Sequence, residues 1–274
     1  EKNKSNISLI FYCKSKIYLS LISAARHPGP RLTARARSAL RVYNGYPDTA
    51  GRYSYVVALI LFYVRMCTGT LISPNWVLTA CHCIYDEYAT DIQYGNMSLA
   101  ADETTTKSKI LKKFRHPTYK LFLDKKGDSL IINNDIGLLK VEPVHLRVYG
   151  ILSALDYRTL TGLAVEYAGY GATYNYKTKN PKHVAAMDQS RPVQWGEGVV
   201  APCSIKTQFF CVRPKCSNKE QGVLGGDSGS SVFHDGKIVG VLSANDRKDP
   251  IPIGVVVGIS PFMNWISFVI SNNL

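Results

Sequence analysis

Gly225-Gly226-Asp227-Ser228-Gly229-Ser230-Ser231 sets a single serine inside a glycine-rich turn, and two segments upstream decide how that turn is read. Trp76-Val-Leu-Thr-Ala-Cys-His-Cys83 reads as a buried strand that ends at His82 beside a cysteine. Asn133-Asn-Asp-Ile-Gly-Leu-Leu-Lys140 puts Asp135 at the mouth of an apolar run. Each has a plain structural explanation when taken singly: a tight turn, a core histidine, a capping aspartate. Together they answer one chemical need. A serine hydroxyl is a weak nucleophile at neutral pH and needs a neighbouring imidazole to take its proton. The imidazole in turn needs a buried carboxylate to fix its tautomer and stabilise its charged form. The glycine before Asp227 lets the Gly226 and Ser228 amides point at a carbonyl oxygen as it becomes an oxyanion.

Working outward, the chain has 274 residues, 46% hydrophobic and 19% charged, enough to bury a core and too apolar for whole-chain disorder. No apolar run is long enough for an internal transmembrane helix. The seven cysteines are an odd count, so at least one thiol stays unpaired within the chain. The net charge of +13 suggests an anionic partner until it is located. Residues 1–41 hold nine Lys/Arg against one Glu, a net of +8, which leaves +5 for 42–274. No nucleic-acid-binding signature accompanies it.

Residues 1–41 read as a basic signal and prosegment. Ile17–Ala25 is its apolar part and Ser23-Ala24-Ala25 its small residues, the alternative being a disordered basic tail. From Val42 the texture is all-β. Tyr55–Val64, Leu71–Ile72, Trp76–Thr79, Ile136–Val141, Leu163–Ala168, Ser230–Phe233 and Ile238–Leu242 are short apolar runs between turn residues. Such spacing favours barrels or sandwiches. Only the end changes period: Phe262, Trp265, Ile266, Val269 and Ile270 recur at helical spacing after Ser260-Pro261, read as an N-cap and a first-turn proline.

The order His82, Asp135, Ser228 resembles that of chymotrypsin/trypsin-like serine proteases, not of subtilisins or α/β-hydrolases. The likeness runs from Arg41 to the C-terminal helix. Cys67-Thr-Gly-Thr-Leu-Ile-Ser-Pro-Asn-Trp-Val-Leu-Thr-Ala resembles the family's approach to its histidine, Tyr167-Ala-Gly-Tyr-Gly171 its Gly-Trp-Gly turn, and Gly240-Val-Leu-Ser243 the strand along its cleft. The resemblance implies an all-β fold of two six-stranded antiparallel barrels with a C-terminal helix. It implies Ser228 as nucleophile, His82 as base and then acid, Asp135 as the orienting carboxylate, and Gly226 and Ser228 as oxyanion donors. It implies a monomeric secreted endopeptidase acting on protein chains, with no metal or organic cofactor, no nucleic acid and no membrane.

Arg41-Val-Tyr-Asn-Gly45 is similar to the family's activation junction. Cleavage after Arg41 by a trypsin-like protease would free the amino group of Val42 to pair with Asp227. The position setting charge at the pocket floor is Gly222, so nothing favours Lys or Arg at P1, the residue before the cut. Val223 adds an apolar wall and Gly254 leaves the depth open. That predicts a chymotrypsin-like preference for apolar or aromatic P1 residues. Ala244-Asn245 after Ser243 departs from the usual Trp-Gly, and Asn245 narrowing the entrance would make the preference elastase-like.

Cys67 and Cys83 match the family's bridge across the histidine loop; Cys211 has Cys203 as first partner and Cys216 as the alternative. Cys81 replaces an alanine, and Cys13 lies in the leader. A zinc site at Cys81-His82-Cys83 is disfavoured by its spacing. Leu224 stands where a cysteine is usual, and Ser230-Ser231 where Gly-Pro is usual. These departures leave room for an alternative, a non-catalytic homologue acting as a binding or regulatory module. Asn96-Met-Ser98 and Asn6-Ile-Ser8 are glycosylation sequences. Lys107, Lys109, Lys112, Lys113 and Arg115 form either a solvated strand face or an exosite for polyanions.

Overall fold

Alternating and fully apolar runs between turns produce strands, and closing those strands on themselves removes exposed edges. The computed structural model describes residues 42, 44–61, 64–85, 89–95, 106–123, 130–171, 192–203, 208–215, 221–223, 226–246 and 253–274. The leader, Arg41, Leu224, Cys216 and both glycosylation asparagines lie outside them. A first barrel closes through β2 (Val56–Leu61), β3 (Val64–Ser73), β4 (Trp76–Thr79), β9 (Gly137–Val141), β6 (Lys107–Arg115) and β5 (Asp91–Gln93), all antiparallel. A second closes through β12 (Gln194–Ala201), β11 (Ala164–Gly169), β14 (Ser231–His234), β15 (Lys237–Asp246), β16 (Ile253–Gly258) and β13 (Phe209–Pro214). β1 (Tyr46–Pro47) adds to β12, and β10 (Ile151–Leu152) pairs parallel with β15. β7 (Lys120–Leu123) and β8 (Leu130–Asn133) form a separate hairpin just before Asp135.

The two-barrel expectation is therefore met, as is the closing helix, α1 (Met263–Ser271). Two local readings change. Tyr55–Val64 is not one strand: Leu61 pairs with Val64, so the run folds back and Val64 opens β3. Ser260 is not an N-cap; it lies in a 3₁₀ turn, Ser260–Phe262, and its Oγ accepts from Tyr157 N at 3.1 Å.

Each barrel is filled from its own inward residues. Val57, Leu59, Leu71, Val77, Ile92, Leu139 and Val141 pack the first. Val165, Val200, Val212, Val232, Leu242 and Val256 pack the second, and Val42 joins them. A third cluster runs from Trp76, Leu78 and Leu138 to Phe233, Val241 and Val257 and under Phe262, Ile266 and Val269. A fully buried side chain of this size contributes about 1.5–3 kcal/mol, so the contact between barrels is held as firmly as their interiors.

Candidate active site

His82 and Asp135 each sit just after a strand. β4 runs into a 3₁₀ turn, Cys81–Ile84, that carries His82. Asp135 sits in the two-residue gap between Asn134 and β9. Asn134 takes a left-handed φ of 51°, a conformation that asparagine tolerates, and its side-chain amide donates to Thr118. Asp135 is 0% exposed. Its Oδ1 accepts from His82 N at 2.8 Å, and its Oδ2 faces His82 Nδ1 at 2.7 Å and accepts from Ser243 Oγ at 2.5 Å. These contacts hold the imidazole with Nδ1 toward the carboxylate. The register of β15 against β16 slips between Leu242 and Ala244, a bulge that re-aims the side chain between them, and Ser243 is that residue.

Ser228 lies in the turn before β14. Its carbonyl accepts from Thr68 N at 2.8 Å, and Gly229 N donates to Leu242 O at 2.8 Å. Thr68 follows Cys67, whose disulfide to Cys83 reaches the residue after His82. The Ser228 turn and the His82 turn are thus tied through one short segment. Among the described residues no hydrogen bond joins Ser228 Oγ to His82; Nε2 lies 3.6 Å from Cys83 Sγ. Gly226 holds φ +93°, and its carbonyl accepts from Thr68 Oγ1 at 2.9 Å. Gly229 holds φ +84°, and a methyl there would overlap Thr68 O and Thr79 Oγ1, so no other residue fits.

Around the expected activation pair, Val42 and Asp227 are both buried. Val42 takes φ +48°, an unfavourable region for a β-branched residue. Asp227 Oδ1 accepts from Gly171 N at 2.8 Å. Burial, and then the Asp227 charge, push the Tyr167 hydroxyl well above its usual range.

Of the expected pocket residues, Gly222, Val223, Ser243 and Gly254 are buried and Ala244 half-buried, while Asn245 pairs through its backbone with Gly254. Two side chains stand close beside Gly254. A methyl on it would stand 3.0 Å from Leu242 Cδ1 and 3.3 Å from Val223 Cγ2.

Both bridges form as the resemblance implied, Cys67–Cys83 and Cys203–Cys211. Cys81 is a buried free thiol pushed up to about 12 by burial, with the Asp135 charge adding to it. Ligand atoms of Cys67, His82 and Cys83 lie within 4.8 Å of one another, but both sulfurs are spent in the disulfide and offer no thiolate. The basic run lies on β6, with Lys109, Lys112 and Arg115 exposed and Lys107 and Lys113 half-buried. Lys112 Nζ donates to Asn273 Oδ1 at 3.1 Å and Lys140 Nζ to Asn273 O at 2.5 Å, at the electronegative end of α1, while Arg115 reaches Tyr85 O. Two contributors escaped the sequence reading: Thr68, which ties both turns, and Gly171, which seats Asp227. Both lie inside motifs quoted above, where their spacing was the available signal.

Two closed antiparallel barrels, with a histidine–aspartate pair beside the first and a serine turn of the second bonded to Thr68 of the first, define the class: a two-barrel β protein. Residues 42–266 match the trypsin family model, and the chain belongs to the trypsin family of serine proteases. It is 26% identical over 250 residues to trypsin of Phaedon cochleariae, covering 83% of this chain and 88% of that one. It is 25% identical over 266 residues to kallikrein-11 of Mus musculus, covering 95% and 91%. Trypsin-3 of Salmo salar is 26% identical over 240 residues, covering 85% and 94%.

Proposed function

We propose that this chain is a secreted serine endopeptidase, made as a precursor and switched on by a cut after Arg41. Ser228 attacks the peptide carbonyl while His82 takes its proton; the amides of Gly226 and Ser228 receive the oxyanion; His82 then returns the proton to the leaving amine, and water releases the acyl group. The observation that carries this is the fully buried Asp135 carboxylate with three donors, two of them from His82. A buried carboxylate bonded to both the backbone and the ring of one histidine is suited to fixing that ring's tautomer.

The pocket lacks a carboxylate at Gly222, so cleavage after Lys or Arg is not expected, whatever the relatives' names. Of the two uncharged preferences, aromatic and small, the contacts of Leu242 and Val223 over Gly254 favour the small apolar P1 residue. Secretion is supported by the two disulfides, which persist in oxidising compartments. Among the described residues no helix is long and apolar enough to cross a membrane. The test is stoichiometric labelling by a serine-directed organophosphonate. Label on Ser228 after cleavage at Arg41, and none before, supports the enzyme. No label in either form supports the non-catalytic homologue.

A further inference from the structure

Ser230 is 1% exposed, and its hydroxyl has no hydrogen-bond partner. Its backbone is fully engaged: its N donates to Asp227 O at 2.9 Å, and its carbonyl accepts from Leu242 N at 2.8 Å. The hydroxyl is therefore held in place without being satisfied, a state that buried polar groups avoid. What it stands beside gives the reason. A methyl on Gly169 would overlap Ser230 Oγ and lie 2.6 Å from Asp227 Oδ1, so hydroxyl and carboxylate rest against the same bare glycine. The Asp227 carboxylate lies flat on Gly171, where a methyl would overlap it too. Thr68 Oγ1 closes that side, 3.4 Å from the Gly169 position, and is already committed to Tyr170 N and Gly226 O. Val42 lies one register step away along β11: its Cγ1 and the Tyr167 hydroxyl stand 2.9 and 3.0 Å from one point over Gly196, which pairs with Tyr167, two residues before Gly169. Tyr167 also feels the charge of Asp227.

We propose that Ser230 is a positioning residue for activation, its hydroxyl being a pre-placed partner for the amino group released at Val42 and paired with Asp227. This rests on the activation reading given above. In the uncut chain the Val42 nitrogen is an amide with one hydrogen. After hydrolysis of the Arg41–Val42 bond it is an ammonium with three. One or two reach the Asp227 carboxylate, and the hydroxyl oxygen of Ser230 accepts another while its own O–H turns to the carboxylate. An unfavourable orphan of the precursor thereby becomes a bond of the mature form, and the difference biases the nucleophile turn toward its active arrangement.

The test compares wild type, Ser230→Ala and Ser230→Gly, each as full chain and after cutting at Arg41 with immobilised trypsin. Melting temperature, organophosphonate-titratable sites and the alkaline limb of kcat/KM are measured. The titratable groups facing the site are Asp227 and Tyr167, with Glu197 acting on Tyr167. A paired ammonium has its pKa raised above the free α-amino value, so activity is held at lower pH and lost as pH rises through it. Losing one acceptor moves that limb toward acid by about one unit for a tenfold weaker bond. Expected are an uncut variant that melts no lower than wild type, a cut variant with about tenfold lower kcat/KM, and the acid-shifted limb. Equal melting gains in both forms with unchanged activity would overturn the proposal, leaving Ser230 a mere unpaired hydroxyl. A cut wild type that never titrates would instead sink the activation reading, and this one with it.

Discussion

Ser243→Ala tests the site at its most economical contact. The substitution removes one oxygen and leaves the backbone of β15 untouched. Asp135 then keeps both His82 donors and loses the Ser243 hydroxyl at 2.5 Å. A hydrogen bond to a charged group contributes roughly 1.5–3 kcal/mol. The vacated space is about one atom, too small for a replacement water. For a chain of this size each 1 kcal/mol shifts Tm by about 2–4 °C, so a fall of about 3–12 °C is expected. If the carboxylate swings as it loosens, His82 loses its aim mainly in the transition state, and kcat falls about tenfold with KM little changed. Calorimetry of the cut enzyme and steady-state kinetics on an apolar-P1 substrate read both. A variant melting within about 1 °C of wild type with unchanged kcat would refute the reasoning, because Asp135 would then not depend on this donor.

Leu242→Ala, which removes three carbons, should raise kcat/KM for Phe over Ala at P1 by at least the roughly 10–200-fold that one methylene's fit is worth. A wild-type enzyme already preferring Phe in a peptide-library profile would contradict the filled-pocket reading. Cys81, pushed up to about 12 by burial, should resist iodoacetamide at pH 8 in the native protein and react once it is unfolded. Because its folded pKa is the higher one, its share of stability is whole below the unfolded value and fades as pH climbs toward 12. His116, edge-on to Phe262 and Trp265 at 5.0 Å each, has its pKa lowered by burial. Its contribution is present above the ordinary value near 6.5 and is lost as pH falls through the depressed one, so His116→Phe should flatten the acid side of a Tm–pH curve.

The strands legible in the sequence were those whose apolar runs are bounded by turn residues, as Trp76–Thr79 is. The break between Leu61 and Val64 was not legible, because both arms are apolar and the period does not change across the turn. Ser260 misled for a different reason: its hydroxyl answers Tyr157, 103 residues away, rather than its own helix. The pairing of His82 with Asp135 could be read because an imidazole base demands a carboxylate partner. The closeness of Leu242 and Val223 to Gly254 could not, because both look like ordinary core residues until the strands are paired. The bonds from Lys112 and Lys140 to Asn273 could not be read either, since only the packing of α1 brings that residue to them.

The two ends of the folded domain are lodged crosswise. β1, near its start, pairs with β12 of the later barrel, while the terminal helix rests on His116, Lys112 and Lys140 of the earlier one. Severing the connection between Val141 and Ile151 would therefore yield two pieces that clasp each other, each carrying a strap that belongs on its counterpart. Neither piece would own a whole site, since His82 and Asp135 fall in one and Ser228 and Ser243 in the other. Such a pair is a natural starting point for a complementation sensor whose output appears only on reassembly.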